Sequence, residues 1–533
     1  MNKERWYHEL FDDPDREFLL NGIYNGFNIV PQDTKLQPAF MPNYRSATKA
    51  NRGKVEETIK SEIAKGNYQI VHEKPTIISA LGAIPKPGSD DVRIIHDCSM
   101  PKGKGVNDYV HAEKFKFQTL DDAIKLVKPN SYMAKIDLSA AYRSVNVNPA
   151  SYQALGLQWQ FEGNSNTTYM VDTKLCFGAK NAPEVFHRLT QSVKRMMAKR
   201  GYEKTVVYLD DFWVTAETYE ECNSAFSILL QLLQDLGFGI SWNKVVKPTK
   251  CLTFLGIEID SVNEQVRLPE TKLAEFKDLL AKFAVKTRAS KRQLQQLAGK
   301  LNWACRVVHG GRTFLRRILD MLNKLKRPHH KARLDAACKQ DLLWWNNFIQ
   351  NFNGVRLFLD DLPQYSLATD ACTKAAGAIF KGDWFYANWD HDLPQFSEEH
   401  INVKEALTIC LAARRWGHLW QNKRIIVHTD NITAMTHINK GTAHSQVVMT
   451  ELRHLFWLST AYNFHIKAIY LPGSQNIVAD AISRLHDPYY LLRFYDMYDA
   501  LHISRSTQLV KHMSHASYLF ILSQVLGRYR NLH

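Results

Sequence analysis

The chain has 533 residues, with 68 Lys or Arg against 53 Asp or Glu, giving a formal net charge of +15 and a pI near 9.2. That length predicts about three domains, and a hydrophobic share of 45% with 25 Gly and 18 Pro excludes a disordered or collagen-like chain. No uncharged apolar stretch reaches the roughly 18 residues of a membrane span, the longest near the end being 516–526, and residues 1–10 carry Lys3, Glu4, Arg5 and Glu9 in place of an apolar signal core.

Residues 1–50, punctuated by Pro14, Pro31, Pro38 and Pro42, read as an arm or cap with one helix around 14–22. A short helix is predicted over 55–65, ending at Gly66. Two apolar runs, 77–84 and 92–97, flank Pro85-Lys86-Pro87-Gly88, which is a hairpin signal. Short strands are predicted at 132–136 and 205–209, each running into an Asp, with helices over 183–199 and 220–236 and another strand over 254–259. After Pro269, Leu273, Phe276, Leu279, Leu280 and Phe283 keep helical spacing. Ser290 is placed to cap a basic helix over 291–308, stopped by Gly310-Gly311, and a further helix covers 332–352. Beyond Pro363 the pattern becomes a second α/β unit: strands 365–369 and 377–380, helix 402–419, strand 424–429, helix 449–460 and strand 465–471.

The excess charge is local. Between residues 281 and 333 stand 15 Lys or Arg and one acid, Asp320, a net of +14. Such density is the footprint of phosphate-backbone binding. Leu294, Leu297, Leu301 and Val308 form a stripe suited to a core and not to a membrane face. The cysteines, Cys98, Cys176, Cys222, Cys251, Cys305, Cys338, Cys372 and Cys410, form no Cys-x-x-Cys pair. Neither a zinc site nor a disulfide framework is therefore expected, and free thiols fit a reducing compartment. An intracellular protein, cytoplasmic or nuclear and not secreted, is expected.

The segment Tyr208-Leu209-Asp210-Asp211-Phe212-Trp213-Val214 sets adjacent acids at a tight turn between apolar runs. Two neighbouring carboxylates repel, and a cation relieves that repulsion. Asp137 is a third acid at a strand end, and such a set can hold two Mg²⁺ ions for phosphoryl transfer. Upstream lies Asp137-Leu138-Ser139-Ala140-Ala141-Tyr142-Arg143. Between the acids lies Phe177-Gly178-Ala179-Lys180-Asn181-Ala182-Pro183, and downstream Phe254-Leu255-Gly256-Ile257-Glu258. In this order and spacing the four pieces resemble the palm motifs of the reverse transcriptase family. The resemblance implies a right-hand polymerase of fingers, palm and thumb. It makes Asp137, Asp210 and Asp211 the metal-binding aspartates and Tyr142 the gate that blocks a ribose 2′-hydroxyl. It assigns Phe177 and Gly178 to the template and nucleotide loop, and Lys86 and Arg93 to gripping the triphosphate, for which the planar guanidinium is suited. Lys244 lies near the lysine that protonates pyrophosphate, with Lys247 and Lys250 close by. Residues 254–260 resemble the primer-grip hairpin, and the basic stretch falls where the family has its thumb. Lys291, Arg292, Lys300, Arg306, Arg312, Arg316 and Arg317 are its expected contacts to nucleic acid.

In the second α/β unit Asp370 and Asp430 follow strands, Glu405 sits early on a helix, and Asp480 is expected to open one. Four acids so placed make a second two-metal site, now for hydrolysis with water as the nucleophile. Tyr470 to Arg484, with Pro472-Gly473 and Ala479-Asp480-Ala481-Ile482-Ser483-Arg484, resembles the ribonuclease H domain of retrotransposons. Thr369-Asp370-Ala371 and His428-Thr429-Asp430-Asn431 match its other aspartate motifs. Many ribonucleases H carry a His before the last Asp; here Gly473-Ser474-Gln475 stands there, and His428 and His437 read as structural.

The fold class expected is thus α/β and α+β multidomain. It divides into an N-terminal arm (1–50), fingers and palm (51–265), a basic helical thumb or connection (266–355), a ribonuclease H-like domain (362–486) and a helical tail (487–533). Asp15-Arg16-Glu17-Phe18, Ile84-Pro85-Lys86-Pro87, Arg93-Ile94-Ile95-His96-Asp97-Cys98-Ser99, Val106-Asn107-Asp108 and Ala304-Cys305-Arg306-Val307-Val308 resemble DIRS-like retroelements, with Gypsy-type elements as the near alternative. The family implies an RNA-directed DNA polymerase with ribonuclease H activity. Each site would take two Mg²⁺, or Mn²⁺ in its place. Its partners would be an RNA template, a DNA primer strand, RNA–DNA hybrid and deoxynucleoside triphosphates, with no membrane and with a recombinase or capsid protein of the same element. A decayed or co-opted hybrid-binding protein is the alternative, disfavoured because all the carboxylates are present. A DNA-templated repair polymerase would have no use for the second domain. Residues 487–533, with Arg493, Arg505, Lys511, Arg528 and Arg530, are expected to be the truncated start of a recombinase or a packed extension. No Asp-Thr/Ser-Gly protease motif occurs, so a fragment or a degraded copy is expected.

Overall fold

The computed structural model describes residues 1–85, 91–113, 115–308, 310–327, 329–351, 355–358, 365–421, 423–462 and 464–500. The chain forms two compact units, Met1–Leu255 with Ile259–Asn263, and Gly256–Glu258 with Glu264–His533. No described helix is long and apolar enough to cross a membrane.

In the first unit β1 (Ala80–Pro85) and β2 (Val92–Asp97) make the expected antiparallel hairpin, Pro85 opposite Val92. Lys86 lies outside the described residues. The predicted run 77–84 is divided at Ser79, whose amide donates to Gly156 O at 3.0 Å. Ile77 and Ile78 therefore join a separate five-stranded sheet.

Next come β3 (Tyr132–Asp137), α1 (Ala182–Lys199), β4 (Thr205–Tyr208), β5 (Asp211–Ala216), α2 (Tyr219–Asp235) and β6 (Val246–Thr249). The strands form an antiparallel sheet in the order β6-β3-β5-β4. Phe186, Leu189 and Val193 of α1 and Leu229 and Leu233 of α2 recur every three or four residues. They are buried with Ile136, Phe212 and Val214 of the sheet. Removing each such side chain from water contributes about 1.5–3 kcal/mol, so this layer holds the sheet flat against two helices.

Helices Lys3–Glu9 and Arg16–Asn25 add Trp6, Leu10, Leu19 and Ile23 to the same core. Arg195 of α1 holds Asp13 at 2.7 Å, and Arg188 donates to Asp15 at 2.9 Å while lying over the Phe18 ring. The predicted strand 254–259 is two strands, Cys251–Phe254 and Ile257–Asp260. Leu255 and Gly256 between them have φ of 49° and 79°, a left-handed pair that glycine accommodates and an extended strand cannot.

The second unit begins with four helices: α3 (Glu270–Ala284), α4 (Lys291–Ala304), α5 (Arg316–Lys324) and α6 (Ala336–Asn351). Ser290 caps α4 as expected: its hydroxyl accepts from Gln293 N (3.2 Å), and Gln293 Oε1 accepts from Ser290 N (3.0 Å). Leu294, Leu297, Leu301 and Val308 are buried, but α4 ends at Ala304 and Val308 packs from the turn that follows.

The mixed sheet of this unit comprises β7 (Tyr365–Ala371), β8 (Ala375–Phe380), β9 (Asp383–Asn388), β10 (Arg424–Thr429) and β11 (His465–Tyr470), in the order β9-β8-β7-β10-β11. β7, β10 and β11 are parallel, and β8 and β9 antiparallel. Helix α7 (Ile401–Trp416) is buried almost all round. α8 (Ile432–Lys440) and α9 (Gln446–Tyr462) precede β11 in the chain; α10 (Ile477–Ser483) and α11 (Pro488–Ala500) follow it. The four helices and the sheet share this unit through Phe314, stacked on Trp344 and edge-on to Phe456, and through Thr313, which donates to Gly441 O (3.1 Å). α11 is a packed extension: Phe494 is buried against Trp384, with ring centroids 5.0 Å apart. Residues 501–533, with Arg505, Lys511, Arg528 and Arg530 and the apolar run 516–526, lie outside the described residues.

Candidate active sites

The first site is written by strand register. β3 and β5 pair so that Asp211 stands opposite Asp137. β4 and β5 pair Tyr208 with Asp211, leaving Leu209-Asp210 as a two-residue turn. Leu209 has φ of 52°, a left-handed conformation that costs a branched residue about 1–3 kcal/mol and is a mark of functional turns. Asp210 in this turn is near enough to Asp137 and Asp211 for the Asp137 charge to help raise its carboxyl and for its own charge to help raise that of Asp211. Asp137 is buried, and the Lys244 ammonium reaches its two oxygens at 3.0 and 3.2 Å. Asp211 Oδ1 is buried with no hydrogen-bond partner. Burial pushes the Asp211 carboxyl up to about 7, with Lys135 opposing and Asp137 and Asp210 adding to the rise. Burial raises Asp210 too, and Lys244 and Arg93 oppose that. Three carboxyls that cannot all ionise comfortably, one with an orphan oxygen, fit a cation site.

The second site lies at the carboxyl ends of parallel strands, where open α/β sheets bind ligands. β7 pairs Ala368 with His428 of β10, and two residues further along Asp370 comes level with Asp430. Carboxylate oxygens of Asp370, Glu405 and Asp430 all lie within 4.8 Å of one another. Glu405 Oε1 accepts from Ala371 N at 3.1 Å, which anchors α7 to β7. Burial pushes Glu405 up to about 9, with Asp370 and Asp430 adding, and pushes Asp370 up to about 6 against the Ser483 hydrogen bond. Asp480 bonds Arg484 at 2.7 Å and raises its neighbours Asp370 and Asp430 through its charge. It does not open α10: the helix starts at Ile477, where the buried Asn476 donates to Thr369 O (2.9 Å), so Asp480 is its fourth residue. Burial lowers the imidazoles of His428 and His437.

Residues 84–259 match the family described as reverse transcriptase (RNA-dependent DNA polymerase). The chain carries a reverse transcriptase domain. The Gag-Pol polyprotein of woolly monkey sarcoma virus is 28% identical over 174 residues, 32% of this chain and 10% of that polyprotein. The enzymatic polyprotein of cauliflower mosaic virus (strain Strasbourg) is 22% identical over 402 residues, 72% of this chain and 54% of its own. The chain thus spans about half the length of the cauliflower mosaic virus relative and a tenth of the Gag-Pol one. Among solved structures, the foamy viral protease-reverse transcriptase in complex with RNA/DNA hybrid aligns over 89% of this chain and 64% of its own, with TM-score 0.53 and 17% identity. The dRH form of that protein, in complex with double-stranded DNA, aligns over 88% and 82%, with TM-score 0.51 and 17% identity. The chain shares the fold of these reverse transcriptases, which agrees with the fold class expected, a mixed α/β polymerase with a further domain.

Within the reverse transcriptase domain the other expected residues converge. Tyr142 is buried, its ring 5.0 Å from Phe177, and the Arg93 guanidinium lies 5.8 Å from the far-exposed Phe177 ring. Burial pushes the Tyr142 hydroxyl up to about 12, with Asp210 adding. Gly178 must be glycine: its φ is 133°, and a Cβ there would meet His96 O at 1.9 Å. Of the three neighbouring lysines, Lys244 contacts Asp137, while Lys250 lies over the Tyr132 ring.

In the second unit Arg292, Lys300, Arg306 and Arg312 are at the surface, and Lys291 is half-buried. Arg316 and Arg317 are engaged within the unit. Arg316 bonds Asp320 and the His444 ring; Arg317 holds the buried Asp341 (3.1 Å), which Arg453 also approaches. Sequence reasoning missed Lys135 beside Asp211, Ser483, whose hydroxyl donates to Asp370, and Arg484 on Asp480. The last two carried a signal, since a helix brings residues three and four apart onto one face.

Proposed function

We propose that this chain is an RNA-directed DNA polymerase that copies retroelement RNA into DNA, with ribonuclease H activity in its second unit, and that it derives from a DIRS-like element. The observation that carries the polymerase reading is the register of Asp211 against Asp137, with Asp210 in the turn, inside a segment that matches reverse transcriptases. The ribonuclease H reading is supported by the Asp370, Glu405 and Asp430 cluster, with Asp480 beside it.

Both donor sets are all carboxylate oxygen, which suits Mg²⁺, and the orphan Asp211 oxygen and raised carboxyls fit such an ion. When bound, pairs of Mg²⁺ would supply charge neutralisation on the phosphates and favour an ionised nucleophile. The side chains do the rest. Arg93 binds the triphosphate. Phe177 and Tyr142 wall the sugar, and Tyr142 leaves no room for a 2′-hydroxyl. Lys244 carries a proton for the leaving pyrophosphate. In the second site Ser483 orients Asp370, and Arg484 orients Asp480. Arg292, Lys300, Arg306 and Arg312 grip the phosphate backbone of the hybrid.

The test is primer extension on an RNA template with Mg²⁺ and deoxynucleotides, with cleavage of the template scored in the same tube. Extension and cleavage are expected. Hybrid binding with neither reaction would replace the enzyme reading with a hybrid-binding one.

Tyr142→Ala is expected to raise ribonucleotide incorporation relative to deoxynucleotide by about 10²-fold, the scale of discrimination by pocket shape. Single-nucleotide insertion kinetics measure it; an unchanged ratio would mean that Tyr142 is only a core residue. Hybrid affinity is expected to fall linearly in log–log salt titration, and Lys300→Ala to reduce the slope by about 1. A slope that stays put removes Lys300 from the interface.

Glu405, raised to about 9, is protonated at pH 7.5 without a cation and must ionise to bind one. Mg²⁺ uptake is therefore expected to release about one proton per second site, read by calorimetry in two buffers of different ionisation enthalpy. Glu405→Gln should erase that release. A carboxyl raised on folding stabilises below its unfolded value and loses that contribution as pH climbs through its folded value. The cation-free fold should accordingly weaken from pH about 4 upward, through the region of 6 for Asp370 and 7 for Asp211 towards 9 for Glu405.

A further inference from the structure

Behind the Phe177-Gly178 turn lies a cluster that nucleotidyl transfer does not use. His96 is 3% exposed, Cys98 0% and Cys176 1%. One ligand-capable atom from each lies within 4.8 Å of the other two. The two sulfurs are 3.8 Å apart. A disulfide needs about 2.05 Å. Two thiolates on one tetrahedral Zn²⁺, each at about 2.3 Å, stand about 3.8 Å apart, because that is the edge of the tetrahedron. An S–H···S contact would also give this separation. His96 supplies a third ligand at the same place: neither ring nitrogen makes a well-formed hydrogen bond, and both lie buried beside the Cys176 thiol and the Asp172 carboxylate. Asp172, 1% exposed, has Oδ2 at 3.9 Å from His96 Nδ1. Arg143 holds the same carboxylate at 2.8 and 2.9 Å.

We propose that His96, Cys98 and Cys176 bind one Zn²⁺ ion, with the Asp172 carboxylate beside His96 as its outer support and the fourth position left to water. Two thiolates balance the charge of Zn²⁺, and the Asp172 carboxylate is paired with Arg143, which Glu62 also engages at 2.7 Å. Binding releases the two thiol protons to water and changes no oxidation state. The ion would tie the end of β2, which carries Arg93, to the segment that presents Phe177 and Gly178. It is a staple behind the nucleotide loop, and it stands whether or not the chain polymerises. Sequence spacing hid it, because His96-x-Cys98 and Cys176 are 78 residues apart at the sulfurs.

The test is metal content of the full chain purified without added metal, followed by Co²⁺ exchange. About one Zn²⁺ per chain is expected, together with an intense thiolate-to-cobalt absorption in the near ultraviolet. Neither carboxylate site, Asp137 with Asp210 and Asp211 or Asp370 with Glu405 and Asp430, has a sulfur, so neither can give that band. Cys98→Ser and Cys176→Ser should each abolish both signals. Should those variants fail to fold, the spectrum of the unmodified chain still decides. A folded chain with no zinc and no thiolate–cobalt band overturns the proposal. So does zinc retained in a folded Cys176→Ser, or a mass showing the two hydrogens lost to a Cys98–Cys176 disulfide.

Discussion

Asp211→Asn is expected to slow primer extension by at least ~10³-fold, about 4 kcal/mol of barrier, while template cleavage and hybrid binding stay within a few-fold. Asp211 is the first residue of β5, fixed by ladder pairing to both β3 and β4, so the amide occupies the place of the carboxylate. What disappears is charge, at the one buried oxygen of the triad that has no partner. The fold should not suffer. The native carboxyl is already raised to about 7 by burial and by Asp137 and Asp210, so a neutral amide removes repulsion. Without Mg²⁺ the variant should melt at or above the temperature of the unmodified chain, and the stabilisation that Mg²⁺ gives should shrink. This pairing of lost activity with unlost stability separates a catalytic acid from a structural one. Extension within tenfold of the unmodified chain would remove Asp211 from the chemistry.

Much of this site was legible because its parts are local. The short, mostly apolar run before Asp137 and the paired acids between apolar runs declare a strand end and a hairpin turn in a few residues each. What the sequence could not state is pairing between distant segments. That Asp211 faces Asp137 is a property of the β3–β5 register, which joins residues far apart in the chain. The same limit explains the cations. Arg316 and Arg317 look like their exposed neighbours in a basic run, yet Arg317 is drawn inward by the buried Asp341, and Arg316 is engaged by Asp320 and His444. Asp480 looked like a helix start because the Pro472-Gly473 bend precedes it, but the Asn476 bond to β7 starts α10 earlier. β9 went unread because its burial depends on α11 and α7 supplying partners for Trp384 and Phe385. The residues 1–50 hid their core role behind prolines, although Trp6 with Leu10 and Leu19 with Ile23 keep helical spacing. Local chemistry was visible, and long-range satisfaction was not.

Asp370→Asn is expected to abolish template cleavage, by at least ~10³-fold, with primer extension within about twofold of the unmodified chain. Asp370 is buried and framed by the fold. It lies inside β7, level with Asp430 just past the end of the neighbouring parallel strand β10, and accepts the Ser483 hydroxyl. An amide oxygen can accept the same bond, so the frame remains while the charge goes. Removing that charge should also ease Glu405, whose carboxyl is raised to about 9 partly by Asp370. The variant's residual Mg²⁺ uptake at this site should then release less than the proton expected of the unmodified chain. Arg484→Ala gives the contrast. Arg484 touches no other acid of the site by hydrogen bond than Asp480, so its loss frees Asp480 to wander and should cost only ~10-fold, the scale of a lost outer-shell partner. If Asp370→Asn stopped extension as strongly as cleavage, two separate sites could not be maintained. If cleavage survived it, the second cluster would be a buried acid network of the fold, and the RNA strand would be cut elsewhere or not at all.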